Sequence, residues 1–117
     1  RIWSWPKPVQ PGGPPILLGA DSKYTAARVA DYCDGWMPIA NGRLESGLAA
    51  MREAYAKAGR DPATLQLSVF GVPPKPDTAK RLRDLGFTRL VFGLPPAPEG
   101  RVLPVLDRVA EIARMLG

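Results

Sequence analysis

Apolar positions in this chain follow two spacings that take turns. Short runs, continuous or alternating, are each followed by a stretch with apolar residues every three or four positions. The first run is Ile16-Leu17-Leu18, delivered by Pro14-Pro15 and stopped at Gly19. Asp21-Ser22 then offer a helix cap, and Tyr24, Ala27, Ala30 and Cys33 make the helical stripe. The second strand is predicted over Gly35-Trp36-Met37-Pro38-Ile39-Ala40, closing in the turn pair Asn41-Gly42. Leu44, Leu48, Met51, Tyr55 and Ala58 follow on one face of a long helix that Gly59 ends. After the connector Arg60-Asp61-Pro62, Leu65, Leu67 and Val69 alternate with Gln66 and Ser68 in a third strand ending at Gly71. The loop Pro73-Pro74-Lys75-Pro76 is stiff, because consecutive prolines fix φ and donate no ladder bonds. Asp77 or Thr78 opens a short helix with Leu82 and Leu85, terminated at Gly86. A fourth strand spans Arg89 to Leu94, and Pro95-Pro96-Ala97-Pro98 leads to a last helix striped by Val102, Leu106, Val109, Ala113 and Leu116.

Four strand–helix units in succession imply parallel pairing through right-handed crossovers. Two architectures fit 117 residues: a small open α/β sheet, or half of an eight-stranded (β/α) barrel of the TIM type. A barrel unit takes about 30 residues, close to the spacing here. An open dinucleotide fold carries GxGxxG after its first strand, whereas this chain has Gly19-Ala20-Asp21-Ser22. The half barrel is therefore the expected fold class, with residues 1–117 as one domain and 1–14 as a Pro-rich lead-in.

Composition narrows the chemistry. The chain has no histidine, which removes His-based triads, His metal ligands and a His general base. Its one cysteine, Cys33, cannot form an internal disulfide or assemble a zinc cluster. No apolar run approaches the about 20 residues that cross a bilayer, and no leader pattern opens the chain. A reducing, cytoplasmic setting without membrane contact is the expectation. The net charge of +5 comes from basic residues scattered on helix faces, such as Arg28, Arg52, Lys57, Lys80, Arg83, Arg108 and Arg114. With no basic block and no interleaved aromatics, nucleic acid is not an expected partner.

Ligands of either architecture sit at the carboxyl ends of the strands. Gly19 and Ala20, followed by Asp21-Ser22 at a helix start, put small side chains beside unpaired amides, a combination that accepts an anion. Asp21 opposes this unless its carboxylate turns aside, and the same four residues also read as a plain strand–helix junction with a cap. Gly71 and Gly93 end strands before Pro-rich loops, either for close approach of a planar ligand or as terminators. Trp36 and Met37 fit a ring-flanking role or a core role, and Lys23 and Lys75 fit an anion or plain solvent. Cys33 reads as a small buried thiol, and no catalytic constellation appears.

Three segments in order, Trp5-Pro6-Lys7-Pro8-Val9-Gln10, Pro14-Pro15-Ile16-Leu17-Leu18-Gly19-Ala20 and Ala30-Asp31-Tyr32-Cys33-Asp34-Gly35-Trp36-Met37-Pro38, resemble the luciferase-like monooxygenase family. Ala58-Gly59-Arg60-Asp61-Pro62 and the strand from Gly86 to Leu94 fit the same pattern. Within that family the chain looks most like the actinobacterial branch that uses the deazaflavin coenzyme F420, whose relatives use FMN. The resemblance implies a (β/α)8 barrel of which this chain is the carboxyl-terminal half, strands five to eight. It also implies that the cofactor phosphate lies against the turn after strand five, here Gly19, Ala20, Asp21, Ser22 and Lys23. The family often has a second Gly where Ala20 stands. Residues meeting the cofactor ring and a small-molecule substrate are expected in the first four strands, outside this chain. Alone, the half would expose sheet edges and an inner face, so pairing with the other half or with a second copy is expected. The reading from a different class is a non-catalytic half barrel that binds a flavin-like cofactor or completes a barrel with a partner. A third is a basic α/β domain for an unrelated ligand.

Overall fold

A computed structural model describes residues 5–117. Its elements are β1 (Leu17–Leu18), α1 (Thr25–Tyr32), β2 (Gly35–Trp36), α2 (Leu44–Lys57), a 3-10 turn (Pro62–Thr64), β3 (Gln66–Val72), α3 (Pro76–Leu85), β4 (Arg89–Phe92) and α4 (Glu99–Leu116). The sheet runs β1-β2-β3-β4 with every pairing parallel. Sequential order joined by right-handed crossovers places the three crossover helices, α1, α2 and α3, on the same face, whereas a doubly wound sheet reverses order and uses both. This is the wall of a partial barrel, as the unit length predicted.

Strand alternation sends one set of side chains to the helices. Trp36, Leu67 and Val69 are buried there with Val29, Leu48, Met51, Tyr55 and Leu82, and Leu18, Leu90 and Phe92 pack against them. Val29, Val69 and Tyr55 are fully buried, so β3, α1 and α2 carry the centre of the core. On the other face of β3, Phe70 is 51% exposed, and Ile39 is 65% exposed.

Several boundaries differ from the sequence expectation, each for a local reason. β2 is regular only at Gly35–Trp36, because Pro38 has no N–H to give. Pairing resumes beyond it: Phe70 N donates to Pro38 O at 2.9 Å and Ala40 N to Phe70 O at 2.8 Å. β3 passes through Gly71, whose φ of +71° makes the irregularity between Phe70 and Val72 in its pairing with β4. α3 opens at Pro76 rather than at Asp77 or Thr78, since proline suits the first helical position. Gly86 closes it in the left-handed conformation, φ +106°.

Two helical stripes shift in phase. α1 begins at Thr25 and buries Thr25, Val29 and Ala30, leaving Tyr24 57% exposed. In α4, Ile112 is buried and Val102, Val105, Val109 and Leu116 are half-buried, while Leu106 and Ala113 face outward. The helix carries apolar residues on two adjacent faces, and packing against the rest of the fold selects one of them.

Candidate functional site

The turn from β1 to α1 lies at the carboxyl end of the sheet, and residues 19–24 belong to no regular element. Its internal bonds are few. Ser22 N donates to Thr25 Oγ1 at 2.9 Å, Thr25 N returns a bond to Ser22 O at 3.0 Å, and Tyr24 N reaches Ser22 Oγ at 3.3 Å. Ser22 thus shapes the turn before the helix. The expected Asp21-Ser22 cap is corrected: the helix begins later, and Tyr24, at the cap position, offers no side-chain bond. The amides of Ala20, Asp21 and Lys23 have no hydrogen-bond partner among the described residues.

The Asp21 carboxylate turns aside, though toward a partner that the sequence did not announce. Arg43 Nη2 lies 2.8 Å from Asp21 Oδ2. Arg43 is held at the start of α2, where its N–H donates to Asn41 Oδ1 at 2.8 Å and its carbonyl accepts from Ser46 Oγ at 3.0 Å. The ion pair cancels the negative charge beside the free amides, which removes the objection to an anion at this turn. Arg43 was missed because nothing local marks it. The available signal was only an Arg next to a turn at a strand's carboxyl end.

Two clefts flank this turn. One of about 300 Å³ lies between α1 and α2 and is bordered by Ser22, Lys23, Arg43, Ser46 and Gly47. The other, about 250 Å³, is bordered by Gly19, Ala20, Met37, Ile39, Asn41 and Arg43. Asp21 and Arg43 border both. Gly19 sits tightly under the second, for an added Cβ would come within 3.1 Å of the Met37 carbonyl. Lys23 places its ammonium 4.9 Å from the centre of the Tyr24 ring. A further cleft of about 280 Å³ between α2 and α3 has its charges already joined, Arg81 to Glu45.

The other sequence candidates separate. Trp36 belongs to the core and also borders the cleft between α1 and α2, whereas Met37 is half-buried in the wall of the other cleft. Lys75 stands at the cap position of α3. Cys33 is fully buried. Burial pushes its thiol above the usual range and the Asp34 carboxylate adds to this, against a smaller opposing effect of Arg60. A thiol held protonated in that way is a poor nucleophile. Among the described residues, no group of three or more His, Cys, Asp or Glu side chains is placed to hold a metal ion. No helix there is long and apolar enough to cross a membrane.

Each residue of Asp34-Gly35-Trp36 serves the neighbouring strand. Asp34 Oδ2 accepts from Ile16 N at 2.7 Å. Gly35 admits close strand approach, since an added Cβ would fall 2.4 Å from the Gln66 carbonyl. Trp36 Nε1 donates to the Ala20 carbonyl at 2.9 Å. Arg60 has a comparable structural task, with Nη1 within 2.8–3.3 Å of the carbonyls of Val29, Ala30 and Cys33.

A sequence profile of the luciferase-like monooxygenase family matches residues 1–94. Uncharacterized proteins from Mycobacterium tuberculosis and Mycobacterium bovis are each 30% identical to the chain over 109 residues. The alignment covers 92% of this chain and 38% of theirs, so the chain spans under two fifths of the curated relatives it matches.

Proposed function

Since the chain belongs to the luciferase-like monooxygenase family, we propose that it forms one wall of a barrel oxidoreductase and holds the phosphate end of a flavin or deazaflavin cofactor. Coenzyme F420 is the favoured cofactor and FMN the alternative, as the resemblance to the actinobacterial branch implies. The observation that carries the reading is the pairing of Asp21 with Arg43 at 2.8 Å beside the amides of Ala20, Asp21 and Lys23, which have no partner among the described residues. Backbone donors beside a neutralised carboxylate suit a phosphate, because the amides are unsatisfied and the start of α1 favours negative charge.

Gly19, Ala20, Asp21, Ser22 and Lys23 are the proposed binding residues, with Arg43 added. Gly19 keeps the strand end slim where the Met37 carbonyl approaches, and Ser22 with Thr25 fixes the turn. Bound F420 or FMN supplies the redox step; the residues of this chain anchor and orient it. Ring contacts and the substrate pocket are assigned to other strands of the barrel. The exposed Ile39 and Phe70 favour a second reading, in which this sheet pairs with another half barrel and contributes binding without chemistry.

The test is a fluorescence titration of the intact protein with F420 and with its phosphate-free deazariboflavin core, repeated with FMN and riboflavin. The reading expects one pair to bind, its phosphate-bearing member at least tenfold more tightly. Equal affinity for both members of each pair would overturn it.

A further inference from the structure

The turn between β1 and α1 is suspended from a side chain of the next strand. Trp36 Nε1 donates to the Ala20 carbonyl at 2.9 Å, while the ring itself is 2% exposed. Its seat is shaped by two neighbours. Gly47 of α2 leaves it room, for a Cβ there would come within 2.6 Å of Trp36 Cη2 and 3.2 Å of Cζ2. The Phe87 ring lies 6.4 Å away, tilted by 42°.

In a trans peptide the carbonyl and the N–H lie in one plane and point in opposite directions. Drawing the Ala20 carbonyl to the buried indole therefore turns the Asp21 N–H away from the core. That amide is one of the three left without a partner among the described residues. A tilt of this one peptide plane would misdirect the donor while leaving every side chain of the turn in place.

We infer that Trp36 is a positioning residue for the cofactor phosphate: its indole N–H sets the Ala20–Asp21 peptide plane, and Gly47 sets the indole. This role rests on the phosphate reading of the turn given above. It explains why a fully packed aromatic at this position is Trp rather than Phe, since the indole carries an edge donor that a phenyl ring lacks. It also gives Gly47 a purpose within the first turn of α2, since glycine is otherwise an unfavourable helix residue.

Trp36→Phe in the intact protein keeps a ring in the core and deletes the donor. The readout is the ratio of affinities for the phosphate-bearing and phosphate-free forms of the cofactor that wild type binds. The ratio is expected to fall about tenfold, with the phosphate-free form unchanged within about twofold. Hydrogen exchange is expected to quicken at the Ser22 and Thr25 amides and to stay unchanged at Leu67 and Val69. Gly47→Ala keeps the donor but crowds the ring, and it should lower the same ratio; it decides the matter if Trp36→Phe does not fold. A full phosphate preference in the variant, or equal weakening of both forms, would overturn the role of Trp36 alone. An absent preference in wild type would instead remove the phosphate reading, and this inference with it.

Discussion

The C-terminal end of α1 and the turn before its N-terminal end are finished in opposite ways. At the C-terminal end, the carbonyls of Val29, Ala30 and Cys33 accept from Arg60 Nη1 at 3.3, 3.1 and 2.8 Å. The Cys33 carbonyl also takes the Tyr55 hydroxyl at 2.8 Å, and the Arg60 guanidinium lies 4.2 Å from the centre of the Tyr55 ring. At the other end, three amides of the preceding turn have no partner among the described residues. The same eight-residue helix thus has one end saturated by the protein and one whose approach is left open. The saturated end lies on the amino side of the sheet, where barrels are built for stability, and the open end on the carboxyl side, where they bind. Breaking either end should therefore change one property and spare the other.

Arg60→Ala tests the saturated end and should have the largest effect. It leaves the Ala30 carbonyl without that donor, takes one of two donors from the Val29 and Cys33 carbonyls and removes a cation from the Tyr55 ring, so a loss of about 2 kcal/mol in urea unfolding is expected. The preference for phosphate-bearing cofactor should persist in the folded fraction. A loss below about 1 kcal/mol would show that water replaces Arg60 without cost, and the contrast between the ends would weaken.

Arg43→Ala tests the open end. Its side chain is 73% exposed, so stability should change by less than about 0.5 kcal/mol. Freeing the Asp21 carboxylate beside the amides should nevertheless lower affinity for the phosphate-bearing cofactor about tenfold, equivalent to about 1.4 kcal/mol. Restoration by Arg43→Lys would identify charge as the cause; unchanged affinity in Arg43→Ala would remove Arg43 from the site.

The smallest expected effect is alkaline. Burial raises both the Cys33 thiol, ordinarily 9.0, and the Tyr55 hydroxyl, ordinarily 10.0. The unfolded chain therefore loses these protons first as pH rises, so the folded state binds more protons in that interval and stability falls. Below about pH 7.5 neither group contributes an appreciable slope. Urea midpoints measured from pH 8 to pH 10.5 should decline, and less steeply in Tyr55→Phe. A flat profile would mean that both groups ionise equally easily in the folded protein. Cys33 should also resist alkylation at pH 8 until the chain unfolds.

Much of the architecture was legible because it is written at short range. Gly59 and Gly86 end helices with φ of +72° and +106°, conformations that glycine adopts without penalty. Leu44, Leu48, Met51 and Tyr55 are buried as their helical spacing requires. Where periodicity was ambiguous, it misled. α4 is apolar on two adjacent faces, and spacing alone does not say that Val105 and Ile112 pack inward while Leu106 faces out. The start of α1 was misplaced because Ser22 bonds the turn ahead of the helix, using the same chemistry that a cap uses.

By itself, then, the sequence determined the strand–helix alternation, the helix ends and the location of an amide-rich turn, since each depends on residues a few positions apart. Only the tertiary structure decided what surrounds that turn. Asp21 is neutralised by Arg43, Ala20 is aimed by Trp36 and α1 is closed by Arg60, all from segments distant along the chain. The reach of a long side chain across packed elements depends on where those elements come to rest, and no local spacing encodes it.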